Sequence, residues 1–244
     1  MSRHALWWLA TLPLLPIALP LAVHTRRTAL RLPVAQGEPC GLAAADRPGE
    51  PLRLLLIGES TVAGVGVRGL DQALASCLAA ALAERLGRPV QWRACGENGI
   101  TARQACERLL PQALAEPADL VLLVFGVNDT THLTPARRWH QALVEMAEAF
   151  RVQGCHVAFS AVPPLRHFTA LPWLLRQLMG WRASLLDREL QALAQRSGAL
   201  HCALDLPFEA RYLAEDGYHP SALGYRVWGE GLAGRLSPLL QRPS

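Results

Sequence analysis

Four short blocks hold residues able to do nucleophilic chemistry. They are Gly58-Glu59-Ser60-Thr61, Gly96-Glu97-Asn98-Gly99, Gly126-Val127-Asn128-Asp129 and Asp216-Gly217-Tyr218-His219-Pro220. A serine hydroxyl is a poor nucleophile until a neighbouring base takes its proton. His219 is the candidate base, because imidazole titrates near neutral pH. Asp216, three residues earlier, can hold the imidazole tautomer from the same short turn and stabilise the imidazolium. The glycine and asparagine blocks offer backbone and side-chain N–H donors for an oxyanion. Together they supply a nucleophile, a base, an orienting acid and oxyanion donors, the set needed for acyl transfer.

The elements that must position these blocks follow from the apolar pattern. Short apolar runs at 52–57, 90–95, 119–125, 155–161 and 200–204 read as strands. Helical spacing of Leu and Ala occupies 71–86, 101–115, 134–152, 181–196 and 221–236, with Gly87 and Gly198 as stop signals and Thr101, Thr134 and Ser221 as N-cap candidates. Strands that alternate with helices, and are apolar throughout, predict a parallel sheet covered on both faces. The fold class expected is α/β, a flavodoxin-like three-layer α/β/α sandwich with a five-stranded parallel sheet. In such sheets ligands bind at the carboxyl ends of the strands. Three of the blocks directly follow the first three strands. The Asp/His block lies between the fifth strand and the last helix.

At these residues the sequence resembles the SGNH hydrolases, also called GDSL lipases and esterases. The blocks match in order over roughly residues 52–236. The resemblance implies a Ser60–His219–Asp216 triad and an oxyanion hole from the backbone N–H of Ser60 and Gly99 and the side chain of Asn128. It implies carboxylic ester hydrolysis through an acyl-enzyme, with no cofactor and no metal. Thioesters, lysophospholipids and O-acetyl sugars are further substrate classes on the same fold. One block departs from the family, which usually has Gly-Asp-Ser-Leu where this chain has Gly58-Glu59-Ser60-Thr61. That change bears on the hydrogen bonds of the turn more than on the chemistry. Asp129 is expected to be structural, and His132, His140, His156, His167 and His201 share no ligand spacing. A non-catalytic binding protein on a degenerate hydrolase scaffold is the alternative that Glu59 keeps open.

Two other motifs are set aside. Gly64-Val65-Gly66-Val67-Arg68-Gly69 has the G-x-G-x-x-G form, but it begins seven residues beyond the first strand, and the second strand ends in Cys95 rather than an acid. Position 62 is Val, so the G-x-S-x-G elbow is absent as well.

The whole chain has 244 residues, 51% hydrophobic and 18% charged, which excludes a disordered protein. Its net charge of +4 comes from Arg alone, interspersed with acids, so no surface for nucleic acid is expected. The six cysteines form no C-x-x-C pair and read as packing thiols. Residues 5–23 carry no charge and read as a signal or membrane anchor, although Pro13, Pro16 and Pro20 interrupt them. The positive-inside rule tips the following domain toward the cytoplasm by a single charge, too small a margin to decide the side. The expected organisation is an N-terminal segment at 1–23, a Pro/Gly/Ala-rich linker at 24–50 and an esterase domain at 51–240. Its partner would be a small-molecule or lipid ester. The segment Val162 to Leu175, apolar and rich in proline, is a candidate acyl-binding wall or lid.

Overall fold

The structure, a computed structural model, describes residues 2–203 and 209–241. Its centre is a sheet of six strands: β1 (Cys40–Ala43), β2 (Leu52–Gly58), β3 (Val90–Gly96), β4 (Leu120–Val124), β5 (His156–Ser160) and β6 (Leu200–Cys202), in the order β1-β3-β2-β4-β5-β6. Strands β2 to β6 pair in parallel, as the apolar runs predict. The sixth strand was not foreseen. β1 falls inside the stretch expected to be linker and pairs antiparallel with β3, Cys40 opposite Arg93 and Ala43 opposite Val90. The fifth predicted strand is described only to Cys202; Leu204 lies outside the described residues.

Two-sided burial explains the continuous apolar strands. Leu54 and Leu56 of β2 pack under α3 (Leu74–Leu86) and α9 (Ala222–Leu240), against Leu78, Leu82 and Leu232. Leu55 and Ile57 face the opposite layer, built from α4 (Ala102–Arg108), α5 (Leu110–Ala113), α7 (Ala136–Val152) and α8 (Trp173–Ser197). Each successive side chain of a strand points to the opposite face, so both faces must be apolar.

Helix boundaries shift where local chemistry intervenes. α3 is preceded by a single 3-10 turn at Leu70–Gln72. The helix expected at 101–115 divides at Leu109, with Pro111 opening the second piece. α7 starts at Ala136 with Pro135 in the N-cap position rather than Thr134. A five-residue helix, α6 (Val127–Thr131), follows β4 directly. α8 begins eight residues before the expected start and absorbs the end of the proline-rich segment. Ser221 caps α9 as predicted, its hydroxyl accepting the Gly224 N–H at 3.2 Å. All six cysteines are free thiols.

The N-terminal segment is helical: α1 (Arg3–Thr11), a 3-10 turn at Leu12–Leu14 and α2 (Leu15–Thr28). By length and composition it is long and apolar enough to cross a membrane. It is packed against α8.

Candidate active site

Ser60 stands in the tight turn that ends β2. The Val62 N–H donates to the Glu59 carbonyl at 3.0 Å and the Val65 N–H to the Ser60 carbonyl at 2.9 Å. Ser60 is therefore held at the strand end and caps no helix. Across the rim, the loop before α9 brings His219 up to Ser60. The His219 carbonyl accepts the Ala214 N–H at 2.7 Å, and Leu213 bridges to Pro220. His219 Nε2 lies 3.0 Å from Ser60 Oγ, and His219 Nδ1 lies 2.6 Å from Asp216 Oδ2. A proton on Nδ1 satisfies the carboxylate and leaves Nε2 free to accept from the Ser60 hydroxyl.

Asp216 is tied into its own turn. Its Oδ1 accepts the backbone N–H groups of Tyr218 at 2.9 Å and His219 at 3.0 Å. Burial pushes its pKa up, but hydrogen bonds from the His219 ring and these two N–H groups outweigh that and hold it below the usual carboxylate range. Asp216 thus keeps its charge, which is what orienting an imidazolium requires.

The third block is set by Glu59. This fully buried side chain reaches across to β4 and α6, accepting the Gly126 N–H on Oε1 and the Asn128 N–H, at 3.0 Å, on Oε2. The longer side chain at position 59 therefore makes the bonds that fix the turn carrying Asn128. Asn128 Nδ2 donates to the Ile100 carbonyl at 2.9 Å, joining α6 to the loop of Gly99. Gly99 is exposed and has φ +84°, in the left-handed region that glycine enters without penalty. Asp129, expected to be structural, accepts the Ala102 N–H on its Oδ2 at 3.0 Å, at the first turn of α4.

Two contributors escape a reading of residue types. Gly66 belongs to the G-x-G-x-x-G segment set aside as a nucleotide motif. It has φ +105°, and a Cβ there would sit 2.3 Å from the Pro220 carbonyl oxygen and 3.2 Å from His219 Cβ. The segment is a support for the histidine loop, reinforced by the Tyr225 hydroxyl of α9 donating to the Val65 carbonyl at 2.6 Å. Its signal was the glycine spacing; its use shows only in the tertiary contact. Tyr218 is the second. Its ring meets Phe168 edge-on at 5.0 Å and His219 at 5.2 Å, and burial raises its hydroxyl pKa, keeping it neutral.

A cavity of about 60 Å³ adjoins Ser60 and His219, walled by Val127, Phe168, Leu213, Tyr218 and Trp228. Of the candidate acyl-wall segment, Pro163 and Phe168 reach this cavity, whereas Trp173 is 67% exposed at the start of α8.

The chain resembles proteins already described. It is 26% identical over 184 residues to the GDSL-like esterase Rv1075c of Mycobacterium tuberculosis, covering 72% of this chain and 59% of that protein's length. Among solved structures, TesA aligns at TM-score 0.63 with 22% identity, covering 77% of this chain and 99% of TesA. The psychrotrophic esterase EstA of a Pseudoalteromonas species, solved in a form inhibited by monoethylphosphonate, aligns at 0.62 with 14% identity, covering 78% and 99%. These two likenesses establish the SGNH hydrolase fold. The GDSL-like lipase/acylhydrolase family matches residues 56–227, the stretch that runs from the end of β2 into α9 and contains all four blocks, and the chain belongs to that family.

Proposed function

We propose that this protein is a serine esterase that cleaves carboxylic esters of small acyl groups through an acyl-enzyme. The observation that carries the reading is the continuous relay Asp216–His219–Ser60, at 2.6 and 3.0 Å, opening on an apolar cavity. Ser60 Oγ attacks the ester carbonyl carbon as its proton passes to His219 Nε2. The carbonyl π electrons move onto oxygen, stabilised by the N–H groups of Ser60 and Gly99 and by Asn128 Nδ2. Collapse breaks the ester C–O bond, and the alcohol leaves with the proton from Nε2. Water, deprotonated by the same histidine, then releases the acid and restores Ser60.

The cavity walls set the expected acyl size: the bulky Phe168, Tyr218 and Trp228 side chains favour a short acyl chain over an octanoyl group. Hydrolysis of p-nitrophenyl acetate, butyrate and octanoate by the full chain tests both parts. Acetate and butyrate should exceed octanoate in kcat/KM, and Ser60→Ala should lose at least about 10³-fold on each. Phe168→Ala should move the preference toward longer chains, while Trp173→Ala, outside the cavity, should leave it alone. Equal rates for Ser60→Ala and the parent would remove the proposal.

A further inference from the structure

The N-terminal helices are not simply tethered to the domain. They run antiparallel along α8 through a built interface. His4 Nε2 lies 2.7 Å from Glu189 Oε1. Trp7 is fully buried, its indole N–H donating to the Leu178 carbonyl at 2.9 Å with the Arg182 guanidinium 5.1 Å from its ring centre. Ala18 is buried with Leu175 and Leu178, and Leu21 and Ala22 pack there with Leu171 and Leu174. The opposite face is bare: Leu6, Trp8, Leu9, Leu12, Ile17 and Leu19 are 37–64% exposed, and Trp173 at the start of α8 is exposed as well.

Charge says what that face fits. No acidic residue precedes Glu38, whereas Arg3, Arg26, Arg27 and Arg31 are all exposed at the ends of the apolar strip. An apolar strip flanked by arginines suits an anionic lipid surface. Length alone would let these 26 residues, about 39 Å as helix, span a bilayer. The interface argues against it. A helix that spans while joined to α8 would carry Arg176, Arg182, Asp187, Arg188 and Glu189 into hydrocarbon, where each charge is costly.

We infer that residues 3–28 are retained as an in-plane anchor, gripped by α8 through Trp7 and Ala18 while the Leu9–Ile17–Leu19 face enters the interfacial layer of an anionic bilayer. The segment from Phe168 to Pro172 then links the cavity to the N-terminal helices: Phe168 lines the cavity, and Leu171, whose N–H donates to the Phe168 carbonyl at 3.2 Å, packs with Ala18.

The test uses the full chain, its intact mass after isolation from membranes, and vesicles of phosphatidylcholine with or without one quarter phosphatidylglycerol. The expected results are an N-terminus that still includes Trp7 and co-sedimentation with the mixed vesicles that weakens in high salt. Lipids brominated at shallow acyl positions should quench tryptophan emission more than deep ones, and Trp8→Phe with Trp173→Phe should abolish most of that quenching. A chain isolated without residues 3–28, no vesicle binding, or deep quenching without a contribution from Trp173 would each overturn the inference. Leu9→Ser with Ile17→Ser and Leu19→Ser should cut vesicle binding at least tenfold while p-nitrophenyl acetate turnover is unchanged. That soluble assay separates failure of the anchor from failure of the esterase reading.

Discussion

Glu59 has an unusual environment for a carboxyl group next to Ser60. It is fully buried beside Asp129, and these two influences raise its pKa from an ordinary 4.5 to about 8, although backbone N–H groups at Gly126, Val127 and Asn128 pull the other way. A carboxyl with a folded-state pKa above its unfolded value holds its proton more tightly in the folded protein. The stability contribution of Glu59 is therefore fully present below about pH 4.5 and is lost as pH rises toward 8. Glu59→Gln removes the titration and one acceptor oxygen. The variant should unfold at a lower temperature than the parent at pH 5, with a gap that narrows by pH 8; parallel melting curves across that range would show that Glu59 does not titrate there. Asn128→Ala belongs to the same scale. Losing a donor to an oxyanion costs about 10²–10³ in kcat, and KM should stay within a few-fold. A change confined to KM would place Asn128 in ground-state binding instead.

Elements explain why those residues meet. β2, β3 and β4 end on one rim, and the loop before α9 closes over it. The glycine-rich segment after Ser60 is the buttress for that loop. In Gly66→Ala the new methyl group collides with the Pro220 carbonyl and the His219 Cβ and strains a backbone at φ +105°. It should lower kcat at least about tenfold through a displaced imidazole, and a crystal structure should show the Asp216–Pro220 turn moved. A variant with normal kcat and an unmoved turn would refute the support role. Much of this scale was legible in the sequence, because strands buried on both faces write themselves as unbroken apolar runs and place four polar blocks at their ends. What was not legible depends on distant partners. β1 is a four-residue, half-exposed edge whose strand character comes from pairing with β3. α6 has too few residues for a period to show. The first turns of α8 looked like loop because their apolar side chains are covered by α1 and α2 instead of the sheet. Likewise Ser60, His219 and Asp216 could be named from their blocks. The reach of Glu59 to Gly126 and the approach of Gly66 to His219 join segments far apart in the chain, and no local pattern encodes them.

The described residues form a three-layer domain of the SGNH hydrolase fold with an N-terminal helical arm folded against one outer helix. Within that arm Trp7 is core, and its loss should be felt globally. Trp7→Ala should cost on the order of 3 kcal/mol, as for large-to-small changes in a packed core, and lower the thermal midpoint by several degrees while the Ser60–His219 geometry is preserved. An unchanged midpoint would mean that the arm contributes nothing to folding. The proposed role of Ser60, activated by His219, is that of nucleophile. It is tested most directly by treating the full chain with a fluorophosphonate and mapping the adduct by mass spectrometry. A single phosphonyl group is expected on Ser60, absent from Ser60→Ala and formed far more slowly in His219→Ala. An unlabelled chain, or equal labelling of the parent and Ser60→Ala, would contradict it.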